Sequence, residues 1–298
     1  MSTLRKNRRS VSRWITAAAV VAMAGTMSWW AQQDATATAA TENGPAAAED
    51  RVAFTLPAAT GTALRITNEC GDIYVEGWDG PEVRVEAVKR AVMYPVPHRH
   101  LFKPVAASVD GPALAQDALR HVDIAVNEAG GVLALASEFT APTTDTQITV
   151  DYAVQVPKDV AVFARTNRGD IVVDGLTAHV NAASSAGRVD IRDVRGDVNA
   201  ETSSGGIAIQ CNTPLSSLRQ ITCRTLDGPI TIALPEHSGF GLELQSVGCR
   251  FQTGFPMIIT AADDMASGFE GRVGEGGPQV AIDTLDGAVS ITALEQAP

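Results

Sequence analysis

One pattern of polar and apolar positions keeps returning along this chain. A glycine is followed by one free residue and then by two β-branched residues spaced two apart, as in Arg165-Thr166-Asn167-Arg168-Gly169-Asp170-Ile171-Val172-Val173. The same phrase occurs as Gly71/Ile73/Val75, Gly187/Val189/Ile191, Gly205/Ile207/Ile209, Gly228/Ile230/Ile232 and Gly287/Val289/Ile291. The steps from Gly169 to Gly187 and from Gly187 to Gly205 are equal, and the step on to Gly228 is longer. A glycine permits a backbone bend that a Cβ resists, and β-branched residues at i and i+2 point to one face of a strand. Each copy therefore predicts a turn and a short half-buried strand. A second strand follows in the unit, as in Thr177–Ala182 and Gly196–Ala200. One such unit cannot bury its apolar side alone, and stacked copies can. The expected fold is all-β: a repeat-built parallel β-helix or β-solenoid-like domain with an N-terminal β-meander and a hairpin insertion. The alternative is an antiparallel β-sandwich, whose strands also recur at short intervals. Gly248 marks a degraded further copy.

The domain is expected over residues 51–298. Val52 and Phe54 alternate with polar residues, Gly77-Trp78-Asp79-Gly80-Pro81 reads as a turn, and Val83, Val85 and Ala87 alternate with charged residues. Residues 91–147 interrupt the repeat with Pro95, Pro97, Pro104 and Pro112, a short helical stretch at 113–119 and a hairpin signal about Glu128-Ala129-Gly130-Gly131. A long strand from Thr146 to Pro157 then leads into the repeats. Residues 211–222 and 254–278 read as insertions, the second as a loop rich in glycine and aspartate.

Composition and charge add a compartment. The segment 1–31 carries only basic charge (Arg5, Lys6, Arg8, Arg9 and Arg13), followed by the apolar run from Trp14 to Trp30. Basic first and apolar second reads as an export signal. It is either a cleaved signal, with small-x-small sites at Ala35-Thr36-Ala37 and Ala37-Thr38-Ala39, or a single-pass membrane anchor at residues 14–31. Residues 32–50 read as a flexible linker. Beyond residue 31 the chain carries all 34 acidic residues against 18 of its 23 basic ones, a net charge of −16. That balance argues against nucleic acid and anionic membrane surfaces as partners.

Candidate chemistry is sparse. Cys70, Cys211, Cys223 and Cys249 all lie in the exported part, which permits a Cys211–Cys223 disulfide or buried free thiols, and their spacing fits no zinc pattern. His98-Arg99-His100 is a cluster without a third ligand. Asp72, Asp170, Asp227 and Asp286 stand beside motif glycines. That is ordinary turn chemistry, although a row of carboxylates also suits calcium or paired acid–base work on a polysaccharide. Asp190, Arg192, Asp193 and Arg195, with Arg188 and Asp197, form a local acid–arginine patch, the one place where an enzyme could be built. Trp78 is either a packing cap at its turn or a sugar-stacking platform. No cofactor is implied.

Several of these residues together resemble a known family. They are Asn68-Glu69-Cys70-Gly71-Asp72-Ile73-Tyr74-Val75-Glu76-Gly77-Trp78-Asp79 with the strand Val83–Ala87, the Val154-Gln155-Val156-Pro157 entry, the Thr-Asn-x-Gly-Asp-Ile phrases and Ile232-Ala233-Leu234-Pro235. The family is the bacterial "putative adhesin" domain, exported β-repeat proteins of unknown function. The resemblance covers most of residues 52–298 and implies a fold and a location at the cell envelope, with no catalytic residues to transfer. The chain departs from the family pattern at Gly187-Arg188 and Gly205-Gly206, where the usual aspartate is missing. The reading is an exported, non-catalytic binding module for an unknown polymer or envelope protein. Its rivals are a polysaccharide-active enzyme and a membrane-anchored envelope sensor.

Overall fold

The glycine phrases fold into a stack of two-strand rungs, but the rungs do not lie in chain order. The computed structural model describes residues 46–59, 61–93, 111–140, 146–215, 218–262 and 268–294. The first part contains β1 (Ala46–Pro57), β2 (Ala63–Cys70), β3 (Ile73–Trp78), β4 (Glu82–Met93), α1 (Gly111–Leu119), β5 (Val122–Ala129), β6 (Val132–Phe139) and β7 (Thr146–Pro157). The regular rungs follow as β8 (Ala161–Arg168) with β9 (Ile171–Asp174), β10 (Val180–Ala186) with β11 (Val189–Arg192), β12 (Val198–Ser204) with β13 (Ile207–Gln210), and β14 (Gln220–Asp227) with β15 (Ile230–Pro235). The last part contains β16 (Phe240–Ser246), β17 (Arg250–Thr253), β18 (Met257–Ala262), β19 (Gly268–Val273), β20 (Gln279–Asp286) and β21 (Ala288–Leu294).

Each rung gives one strand to each of two sheets. The first sheet runs β1-β4-β7-β3-β9-β11-β13-β15-β21-β17, and the second runs β18-β19-β16-β20-β14-β12-β10-β8-β2-β6-β5. Between them lie in-register columns of β-branched residues. Ile171, Val189, Ile207, Ile230 and Val289 come from the first sheet and Val162, Val180, Val198, Ile221 and Val280 from the second. All ten are at most 2% exposed, and each contributes about 1.5–3 kcal/mol on burial. The central strands are parallel, as a β-solenoid requires. The antiparallel pairing of the sandwich alternative occurs only toward the ends, among β1, β4 and β7, between β5 and β6, and among β16, β19 and β18.

At both ends the chain doubles back. Rung β2/β3 lies between β6/β7, made later, and β8/β9. Rung β20/β21 lies between β14/β15 and β16/β17, made earlier. One end is covered by α1, which packs on β1, β4 and β7 and buries Ala115 and Leu119. The other is plugged by edge-on phenylalanine pairs, Phe240 with Phe255 at 5.4 Å and Phe251 with Phe269 at 5.2 Å. Half of the chain's phenylalanines are therefore spent there.

Several expectations need correction. The segment expected as linker ends in structure, because β1 begins at Ala46 and pairs along its length with β4. Residues 91–147 are not wholly an excursion from the repeat, since β6 runs parallel to β2 and extends the second sheet. The expected loop at 254–278 contains β18 and β19, where Met257-Ile258-Ile259 and Phe269 override the glycine and aspartate around them. The export segment 1–31 and the His98-Arg99-His100 cluster lie outside the described residues. Among the described residues no helix is long and apolar enough to cross a membrane.

Candidate functional site

The internal corners of the stack are built from repeated contacts between neighbouring rungs. Gly187 has φ 154°, and a Cβ there would lie 2.0 Å from the carbonyl oxygen of Gly169. Gly71, Gly169, Gly187, Gly205, Gly228 and Gly287 form one column in which each presses on a backbone carbonyl of the adjoining rung. Three places before the glycine stands a buried polar side chain that the periodicity of apolar positions did not reveal. The hydroxyls of Thr166, Ser184, Thr202 and Thr225 donate to the carbonyls of Gly71, Gly169, Gly187 and Gly205 at 3.1, 2.9, 2.9 and 3.4 Å. In the Gly71 copy Asn68 holds this place. Its Nδ2 donates to the carbonyls of Gly71 and Val150, and its Oδ1 accepts from Ser137. A buried carbonyl without a donor costs about 1–3 kcal/mol, so these side chains complete the corner.

Aspartates at this corner, Asp72 and Asp170 directly after their glycines and Asp151 beside them, hold one rung to the next. Asp151 Oδ1 accepts from the amide of Asp72 at 2.9 Å, Asp72 Oδ1 from that of Asp170 at 2.8 Å, and Asp170 Oδ1 from that of Arg188 at 2.7 Å. The ladder stops at Arg188, whose side chain offers no acceptor. Asp286, before its glycine, accepts from the Gly287 amide at 2.8 Å, a turn contact.

The acid–arginine patch is assembled in part. Asp190 is 8% exposed and receives Arg192 Nε at 3.2 Å and Nη2 at 2.7 Å, with Arg188 Nη2 at 3.5 Å. Asp193, at φ 49°, accepts from the backbone amide and side-chain amide of Asn212 at 2.9 and 2.8 Å. Asp197 Oδ1 accepts from the amides of Arg219 and Gln220. Arg195 has an exposed side chain and lies with Asp197 past the next corner, before β12. Beside the patch, burial pushes Asp174 above the usual carboxylate range, helped by Asp193, Glu76 and Asp190 and opposed by Arg192. Asp193 and Asp197 thus tie one rung to the next, and Asp190 is matched by the arginines of its own rung. All three act as structural acceptors.

Trp78 is occupied by its own turn. Its Nε1 donates to the Glu82 carbonyl at 2.9 Å, the Arg84 guanidinium lies 3.8 Å from its ring centroid, and a Cβ on Gly80 would fall 2.0 Å from the ring. It does not cap the end of the stack, because β7, β4 and β1 lie beyond β3. The expected Cys211–Cys223 bridge is absent and all four cysteines are free. Cys211 closes the corner after β13 in the first sheet and Cys223 lies in β14 of the second. Burial pushes the Cys211 thiol up to about 11. Burial, with the Cys211 thiol adding to it, pushes that of Cys223 up to about 12.

An open groove of about 830 Å³ lies near the phenylalanine plug, on the outer side of the second sheet. Along its rim the corner residue two before the glycine changes character. In the earlier copies it is Glu69, Asn167, Ser185 and Ser203, and in the later two it is Leu226 and Leu285. The pairings Thr225↔Thr284 and Ser246↔Thr284 bring Leu226, Leu285 and Val247 side by side. They are 58%, 54% and 76% exposed. Glu201, Arg224, Asp283 and Gln245 form a parallel row across the floor. Ala261, Ala262, Phe269 and Glu270 of the β18–β19 hairpin form a wall. Sequence reading missed this groove, whose signal was the change of the corner residue from polar to aliphatic once the copies are aligned on their glycines.

The family model described as Toastrack DUF4097 matches residues 52–292. No curated protein matches the chain. Among solved structures, a "putative cell adhesion protein" from Clostridium sporogenes is similar over 84% of this chain and 100% of its own, at 12% identity and TM-score 0.44. A "putative adhesin" from Bacteroides fragilis is similar over 82% of this chain and 97% of its own, at 10% identity and TM-score 0.37.

Proposed function

Because the chain belongs to the Toastrack DUF4097 family over residues 52–292, we propose that it is a non-catalytic recognition module that works outside the cytoplasm on a polymer or protein of the cell envelope. The observation that carries this reading is the groove beside β16 and β20, where three aliphatic side chains stand in solvent in a row. A contiguous exposed apolar patch rimmed by polar residues often marks an interaction site. The carboxylates that an enzyme on this fold would need, around residues 188–197, are instead engaged with arginines and with amides of neighbouring rungs. The basic and then apolar segment 1–31 supports export.

Cosedimentation of the purified protein with peptidoglycan sacculi and a panel of insoluble polysaccharides, with released sugars assayed in the supernatant, tests the reading. Pelleting without sugar release, reduced by Leu226→Ser/Leu285→Ser, is the expected result. Sugar release abolished by Asp190→Asn would replace the module with an enzyme.

A further inference from the structure

We infer that the groove accepts an extended polypeptide segment in which basic and aliphatic side chains alternate. The inference deepens the recognition reading and rests on it for the site, while the chemistry of the partner comes from the groove itself. Two rows run side by side across adjacent strands. The rim row is Leu226, Leu285 and Val247, and the floor row begins two places earlier in β14 and β20, with Arg224 and Asp283. That offset along a strand separates the rows by about 7 Å, and neighbours within a row lie about 4.8 Å apart. An extended peptide laid across the strands between them turns alternate side chains toward each row.

Charge selects among occupants. Glu201, Glu243, Glu270 and Asp283 line the groove against one arginine, Arg224, whose Nε already lies 3.9 Å from Asp283. A second copy of this chain, acidic in balance beyond residue 31, is repelled by that surface, and so is an anionic lipid headgroup. A neutral glycan has no charge to match the carboxylates. A peptide with leucines toward the rim and lysines toward the carboxylates of Glu201, Glu243, Glu270 and Asp283 matches both the apolar and the acidic side of the groove. The earlier corners supply an internal control, because Glu69, Asn167, Ser185 and Ser203 offer no aliphatic rim on the same sheet.

The test is a fluorescence-anisotropy titration of the purified chain with a short labelled peptide alternating lysine and leucine. Peptides of the same length alternating lysine with serine and glutamate with leucine serve as controls. Sacculus pelleting is run in parallel on the same preparations. The lysine–leucine peptide is expected to bind saturably, about tenfold more tightly than either control, and to weaken by about tenfold in Leu226→Ser/Leu285→Ser. Asp283→Asn/Glu243→Gln and added salt at about 0.5 M are expected to weaken it as well. All variants are surface changes, and an unchanged thermal midpoint confirms that they fold. Equal binding of the lysine–serine peptide, equal binding of the glutamate–leucine peptide, or an unaffected leucine variant each overturns the inference. Self-association or binding to anionic vesicles that disappears in the leucine variant assigns the rim to those occupants instead and also overturns it. If the peptide does not bind but sacculus pelleting is lost in the leucine variant, the chemistry proposed here falls and the recognition reading stands. If both assays are negative, both fall.

Discussion

The central rungs β8–β15 and the rung β16/β17 follow one plan, and their corners are held in opposite ways. At Gly187 the glycine is pressed against a carbonyl of the rung beside it, and the Thr202 hydroxyl donates across rungs to the Gly187 carbonyl. At the β16–β17 corner a Cβ on Gly248 would meet open space, and the Ser246 hydroxyl accepts from the amides of its own turn, Gly248 at 3.3 Å and Cys249 at 2.9 Å. By register Cys249, and not Gly248, stands opposite Gly287, so the glycine of this corner lies outside the column and the corner closes as a local turn. The constraint on a corner comes from its neighbour in the stack.

The largest test of this contrast is Gly187→Ala against Gly248→Ala. The first is expected to cost about 3 kcal/mol or more, lowering the thermal midpoint by about 6–12 °C or preventing folding. The second stays within about 0.5 kcal/mol. Equal effects in thermal unfolding would show that contact with the adjoining rung is not what constrains Gly187. Next, Thr202→Val removes the donor to the Gly187 carbonyl and is expected to cost about 1–3 kcal/mol by urea unfolding, while Thr202→Ser keeps most of the stability.

A smaller effect belongs to Asp174, whose folded pKa burial has raised. The folded state then holds the proton more tightly than the unfolded chain. Stability therefore grows as pH falls from above the folded pKa toward the ordinary aspartate value near 4, and the penalty is complete only above the folded pKa. Asp174→Asn should raise the thermal midpoint slightly at pH 7 and lose that advantage near pH 4. A gain that persists unchanged at pH 4 would assign it to something other than ionisation. The smallest change in stability is expected from Leu285→Ser, within about 0.5 kcal/mol because the side chain is 54% exposed. A large loss there would move the rim from the recognition surface to the core.

Much of the fold was legible in the sequence because its rules are steric and local. A glycine with β-branched residues two and four places on marks a corner and an inward face, whatever surrounds it. The buried hydroxyl three places before the glycine was equally present in Thr166, Ser184, Thr202, Thr225 and Thr284. A reading that follows apolar periodicity passes over such a polar column, and aligning the copies on glycine exposes it. The spatial order of rungs was not legible. Cys223 and Ile282 are register partners although four further strands, β16 to β19, are made between the β14/β15 rung and β20. No local propensity distinguishes that pairing from one with the next rung in sequence. The groove was hidden for the same reason, since Leu226, Val247 and Leu285 become neighbours only after β20 has slipped between β14 and β16. The 254–278 strands were obscured by composition, with glycine and aspartate drawing attention from the apolar residues that pair.

That late insertion bears on how the polypeptide can be made. A solenoid whose repeats lie in order can zip up from its first residue as it emerges, each rung templated by the last. Here the opening rung acquires both of its neighbours only after β6–β9 exist, and the closing rung must enter a slot bounded on both sides by strands synthesised earlier. Deleting Gln279–Leu294 would consequently leave two raw parallel edges, on β14/β15 and on β16/β17, in place of one. A nascent chain paused before that point carries the same pair of edges, so the last stretch of ordered strand seals the protein against strand exchange with its neighbours.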